Sequence, residues 1–115
     1  MKSLNENLSQ IKRILVGADP SLPVYHYYRP ARETLDRYVV WAEDSETTSM
    51  NANNRKEQQQ VRGTIDLYTL QEFDPAVDLI QEALNTSEGV GWVLSSVQYE
   101  DETNLIHYEW TFAVI

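Results

Sequence analysis

The side chains best suited to acid–base or metal chemistry in this chain are two histidines, His26 and His107, and eighteen carboxylates; cysteine is absent. Without thiols there is no disulfide, no thiol nucleophile and no Cys-based metal or iron–sulfur site. His107 and Glu109 stand two apart on one strand face, a spacing that suits a pair of zinc ligands. A catalytic zinc takes three protein ligands and a structural one four, and the pattern offers no third, so a solvated strand face is expected. Gly89-Val90-Gly91 resembles the start of a dinucleotide fingerprint. It lacks the third glycine and leads into a strand, so no helix N-terminus stands behind it to cradle phosphate. Glu100, Asp101 and Glu102 offer the paired acids of glycoside hydrolysis, but in a tight turn where carboxylates stay solvated. No Gly-x-Ser-x-Gly elbow, Walker loop or Ser/His/Asp arrangement is present. The expectation is a protein with no catalytic residues, no cofactor and no metal.

One cluster invites a binding role. Tyr25-His26-Tyr27-Tyr28-Arg29 has the composition of a stacking platform for single-stranded nucleic acid. Charge argues against that use. Nine Lys and Arg against eighteen Asp and Glu give a net charge of −9, which disfavours phosphate backbones and anionic lipid surfaces. An aromatic edge packed on the sheet or on a neighbouring subunit is the expected role. The charge is also divided along the chain. All nine bases precede Gly63, where eight acids leave +1, whereas residues 63–115 hold ten acids and no base, or −10.

The elements that position these residues follow from periodicity. Ser3-Leu4-Asn5-Glu6 has the form of a capping box, and Leu4, Leu8, Ile11 and Leu15 then form a helical stripe. Gly17 is placed for a left-handed cap and Pro20 bars continuation, which predicts a helix over 3–16. Pro20, Pro23 and Pro30 keep 18–36 extended or turned, with room for at most a short edge strand near Val24–Tyr28. Alternation predicts a strand over 37–42. The stretch 43–57, almost free of apolar side chains, predicts a long mobile loop, 44–57 at its heart. A strand over 61–68 follows and pairs with the first as a hairpin. Asp74-Pro75 starts a helix, Asp as N-cap and Pro at the first helical position. Val77, Ile80 and Leu84, with Ala76 and Ala83 beside them, form its buried face. The third strand runs over 92–99 with Val93, Val97 and Tyr99 on one side. The fourth runs over 105–114, with Ile106, Tyr108, Trp110, Phe112 and Val114 on one face.

The order α-β-β-α-β-β predicts an α+β fold with two layers: a mainly antiparallel four-stranded sheet with two helices on one face. At 115 residues the chain has the length of a single domain, 1–115. The opening Met-Lys-Ser-Leu-Asn-Glu holds no apolar run of a secretory signal, and no stretch reaches the roughly 20 apolar residues of a spanning helix. Three Trp and seven Tyr are more aromatic surface than so small a core hides, and both residue types favour interface centres.

The chain resembles the tail terminator, or tail completion, family of long-tailed bacteriophages and prophages. The resemblance is carried by the amphipathic helix Leu4–Val16, the strand Arg37-Tyr38-Val39-Val40-Trp41 with its polar loop, and Val61-Arg62-Gly63-Thr64-Ile65-Asp66-Leu67-Tyr68. It continues through Phe73-Asp74-Pro75, which opens a helix ending near Leu84, to a closing hairpin that ends Tyr108-Glu109-Trp110-Thr111-Phe112. The step from Ile65-Asp66-Leu67-Tyr68 into that helix is the most telling. These motifs are patterns of residue class spread over nearly the whole chain.

The resemblance implies a non-enzymatic virion protein of the tail's neck end, made in the bacterial host cytoplasm. It implies a ring, typically a hexamer, seated on the last ring of tail-tube subunits, which stops tube growth and meets the head-completion or connector proteins. Partners are then copies of itself, the tail-tube protein and the connector, with no specific nucleic acid and no membrane. Family members use the inter-strand loop and sheet edges for contacts; here that points to Tyr25, Tyr27, Tyr28, Met50, Arg55 and Lys56. The base-free half suggests an acidic lumen that does not grip passing DNA, with Asp78, Glu100, Asp101 and Glu102 on it. Two alternatives stand beside this reading: a neighbouring neck or head–tail connector component, and a small host binding domain without catalysis.

Overall fold

In the computed structural model, which describes residues 2–29, 35–46 and 59–115, the first helix begins at the cap its sequence supplies. Helix α1 spans Leu4–Ala18; Glu6 N–H donates to Ser3 Oγ at 3.1 Å and Ser3 N–H donates to the Glu6 carboxylate at 3.3 Å. Two free amides are thereby satisfied reciprocally. The buried face is Asn7, Ile11 and Leu15, with Leu8 half-buried, while Leu4 is exposed. The helix also outruns its expected end. Gly17 lies inside it, and Asp19 caps it in extended conformation. The Asp19 carboxylate accepts from Ser21 N–H at 3.0 Å and from Ser21 Oγ at 2.7 Å. That local turn, not a left-handed glycine, leads the chain out of the helix.

Five strands follow in chain order around a second helix: β1 Val24–His26, β2 Arg37–Glu46, β3 Val61–Thr69, α2 Pro75–Asn85, β4 Val90–Glu100 and β5 Leu105–Val114. They form one mixed sheet in the order β1-β2-β3-β5-β4. The expected four-stranded sheet therefore gains a strand, and α-β-β-α-β-β becomes α-β-β-β-α-β-β. The extra strand, β1, pairs in parallel with β2. It is held at both ends by backbone bonds, Val39 N–H to Pro23 O and Tyr27 N–H to Trp41 O, each 2.8 Å. Three residues between prolines are too few to display a period of two. Every other pairing is antiparallel.

Strand β2 continues through Asp44, Ser45 and Glu46, which were expected in a loop; Ser45 and Glu46 pair with Arg62 and Val61. Ladder bonds to β3 hold these polar residues extended although they bury nothing. The remainder of the expected loop, 47–57, lies outside the described residues. A register shift at Asp44 and another at Ser95 each insert one residue against the partner strand. The second alters the reading of β4. Leu94 pairs with Trp110, Val97 with Tyr108 and Tyr99 with Ile106, so these three share the helix-side face, while Val93, opposite Thr111, is on the other.

Both helices cover the same side of the sheet. Ile11 and Leu15 of α1 and Ala76, Ile80 and Leu84 of α2 close on Val39, Trp41, Ile65, Leu67, Trp110, Phe112 and Val114 in one core cluster. Trp110 and Phe112 are its largest fully buried side chains, and truncating either would cost about 3–5 kcal/mol. The indole N–H of Trp110 donates to Gln81 Oε1 at 3.1 Å, so its polar atom is matched inside the core.

Candidate functional site

Three polar constellations stand out. The first is a clasp that the sequence reading did not find. Arg37, the first residue of β2, donates to both carboxylate oxygens of Asp74, from Nε at 2.7 Å and from a terminal nitrogen at 3.0 Å. It also reaches Asp19 at 2.6 Å and Ser21 at 3.1 Å. Asp74 is the N-cap of α2, receiving Ala76 N–H at 2.8 Å and Thr69 Oγ1–H at 2.7 Å. One guanidinium thus ties the end of α1, the start of α2 and the first residue of β2 together. Burial pushes the Asp74 carboxyl up, but hydrogen bonds from Arg37, Ala76 and Thr69 outweigh it and leave the group below its ordinary value. The Asp19 carboxyl is held down chiefly by Ser21, with Arg37 adding to it against a smaller effect of burial. Four hydrogen bonds from the guanidinium run to Asp74, Asp19 and Ser21 within the fold, so the clasp is structural.

The second constellation occupies the sheet face away from the helices. Tyr38, Tyr68 and His107 stack in a row across β2, β3 and β5, with ring centroids 4.9 and 4.2 Å apart. His107 Nε2 is 2.7 Å from Asp66 Oδ1, and its Nδ1 is 3.5 Å from Glu100 Oε1. With 17 % of its side chain exposed, His107 is not on the solvated face expected of it; the Tyr68 ring on the neighbouring strand covers it. Its pairing also differs from the one considered, because Glu109 turns to Ser96 Oγ, 3.4 Å away. Among the described residues no three His, Asp or Glu side chains are grouped to hold a metal ion. Burial raises the Asp66 carboxyl, and the His107 hydrogen bond offsets part of the rise. Tyr68 is pushed up to about 12 by burial and by the charge of Asp66.

The third is the aromatic cluster. His26 is sandwiched between Tyr27 and Trp41, centroids 3.7 and 3.9 Å away. Tyr27 reaches this position through a left-handed backbone, φ 77°, that folds it back on its neighbour. His26 Nε2 lies 2.7 Å from Glu43 Oε1, and Tyr27 Oη donates to Glu43 Oε2. Donating to that carboxylate raises the Tyr27 phenol. Burial pushes Glu43 up, yet the Tyr27 and His26 hydrogen bonds bring it below its usual value. Tyr27 and His26 therefore spend a ring face on each other. Tyr25 lies in β1, and Tyr28 projects with 75 % of its surface exposed. Tyr25, His26, Tyr28 and Trp41, with Lys12 and Val16 of α1, line a groove of about 370 Å³.

The remaining expected site residues divide. Met50, Arg55 and Lys56 lie outside the described residues. Glu100, Asp101 and Glu102 come together at the β4–β5 turn. Asp78 sits in the first turn of α2, on the side turned away from buried Ala76, Ile80 and Leu84. Asp78 thus belongs to the helix layer, whereas Glu100 reaches towards His107 on the opposite sheet face. Residues that sequence reasoning missed include Phe73, which is 86 % exposed with φ 58°, just before the α2 cap. An aromatic residue in that backbone region has no local sequence signal.

The architecture defined by these elements is a two-layer α+β protein with a five-stranded mixed sheet. That fold is shared with a chain in the solved structure titled "Virion of native gene transfer agent (GTA) particle". The TM-score is 0.60 and the identity 16 %, over 97 % of this chain and 92 % of the other. No protein-family model and no curated protein matches the sequence. Among the described residues no helix is long and apolar enough to cross a membrane.

Proposed function

We propose that this chain is a structural protein of a phage or prophage virion, and within that class a tail terminator. It acts by assembling as a ring on the end of the tail tube, stopping tube growth and presenting a surface to the head-completion proteins. The observation that carries the proposal is the end-to-end likeness of its fold to a chain of a virion particle, 97 % and 92 % of the two lengths. The resemblance of its motifs to tail terminators supplies the finer assignment. The internal use of the polar clusters agrees with a role in assembly: Arg37, His107 and His26 each hold elements together. The base-free half suits a DNA passage, since acidic walls repel phosphate. Asp78, on the solvent side of α2, is the member of the acidic set we assign to that passage.

Deletion of the gene from its phage or prophage tests this directly. A terminator predicts tails of uncontrolled length, separate from filled heads, in electron micrographs of the lysate; complementation restores normal particles. Tails of normal length that fail to join heads would favour the second reading, a neck or connector component. Normal infectious particles would remove the chain from the virion and leave the small host binding domain. Localisation is read from the same lysates with a labelled antibody, expected at the neck end of tails.

A further inference from the structure

Strand β4 is a sheet edge without the usual protections. It is eleven residues long, pairs with β5 alone in the described sheet, and carries no Lys, Arg or Pro and no charge before Glu100. Edges of this kind pair or become covered unless charge, proline or short length prevents it. Its helix-side row is bare as well: Leu94, Val97 and Tyr99 are 39 %, 50 % and 60 % exposed. Beyond Tyr99 and Glu100 the chain runs directly into the turn acids Asp101 and Glu102.

The opposite edge of the sheet carries a matching surface. Beside β1 the groove of about 370 Å³ is lined by Val16, Val24, Tyr28 and Trp41, with Lys12 among them. Val16 and Tyr28 are exposed, and Arg13 follows Lys12 on α1, which has no acid after Glu6. One edge is thus apolar ending in acids, and the other apolar beside bases. Residues 63–115 offer the acidic edge no internal base. In the order β1-β2-β3-β5-β4 the two surfaces lie four strand spacings apart, about 19 Å. A single protomer cannot bring them together.

We propose that the β4–β5 hairpin of one copy docks in the α1–β1 groove of the next, seating Val97 and Tyr99 against Val16 and Tyr28 and setting the turn acids Asp101 and Glu102 on Lys12. The contact is heterologous, each copy keeping one surface of each kind free, so it propagates and closes as a ring when the rotation permits. It deepens the terminator reading and rests on its ring.

The absence of cysteine makes the test clean. Full-length chains carrying Val16→Cys or Asp101→Cys are mixed and treated with a short bismaleimide at concentrations where the wild-type chain self-associates by sedimentation. The mixture is expected to give a covalent dimer that neither chain gives alone, and the doubly substituted chain a ladder ending at the ring number. Lys12→Glu is expected to weaken association at least tenfold, and adding Asp101→Lys to restore part of it. Cross-linking of Asp101→Cys to itself would mean a two-fold β4–β4 contact and would overturn the proposal. So would oligomers that lack the mixed cross-link, or a chain that stays monomeric at the highest attainable concentration. Those outcomes leave the deletion phenotype intact, so the docking surface and the terminator reading fail separately.

Discussion

At the scale of single residues, Arg37 matters most for stability. It is a quarter exposed, whereas the Asp74 side chain it holds is fully buried. Removing the guanidinium strands a buried carboxylate, so Arg37→Ala is expected to destabilise the fold by about 2–4 kcal/mol in urea unfolding, with Arg37→Lys recovering less than half. The same network sets the response to acid. The carboxyls of Asp19 and Asp74 lie lower in the folded chain than in the unfolded one. Their contribution is therefore complete above the ordinary carboxylate range and is lost as pH falls through their folded values. Stability should drop below about pH 4, and circular dichroism should show Arg37→Ala unfolding at higher pH than the wild type. Asp66 works in the opposite sense. Burial raises its folded value, so its charge burdens the fold at neutral pH and protonation relieves it. Asp66→Asn, which keeps an acceptor for His107, is expected to raise the melting temperature at pH 8, with the gain vanishing near pH 3.

At the scale of elements, the sheet centre depends on a glycine that alternation alone marks as ordinary. A Cβ on Gly63 would lie 2.2 Å from Ala42 O, 2.8 Å from Glu43 Cα and 2.7 Å from the Phe112 ring. Two of those three neighbours are backbone of β2 beside its bulge, so no side-chain rotation makes room. Gly63→Ala is expected to cost about 3 kcal/mol, read as a lower urea midpoint, because overpacking here forces strands apart. Asp74-Pro75 was legible as a helix start because both signals are local. Strand β1 was legible only as room for a short edge strand, since its parallel partner lies fifteen residues away and only that pairing defines it. The face of β4 was misread for a related reason: a bulge at Ser95 reverses alternation midway, and nothing in Leu94-Ser95-Ser96 announces it.

At the scale of the whole molecule, the charge division acquires a geometry. Lys12 of α1 lines the groove at the β1 edge and the hairpin acids lie beside the β4 edge, so the unlike charges sit at opposite edges of the sheet. The association proposed through them is part electrostatic and part apolar. Raising salt from about 0.05 to 0.5 M is expected to slow assembly while leaving residual oligomers, because screening acts on the charges and not on Val97 and Tyr99. Sedimentation velocity across that range checks it.

Legible along the chain were the helices, the two antiparallel hairpins, the buried face of β5 and the exclusion of thiol chemistry. Each depends on local periodicity, a cap, or a residue count. The tertiary structure decided what the polar residues do. His107 moved from solvent into a stack because Tyr68 and Asp66, some forty residues away, lie on the neighbouring strand. Asp19, Arg37 and Asp74, which nothing along the chain links to one another, became one clasp. The acidic turn and the α1–β1 groove came to occupy opposite edges of one sheet. Such partnerships depend on strand order and register, which are set by the packing of the whole chain and leave no mark at any one position.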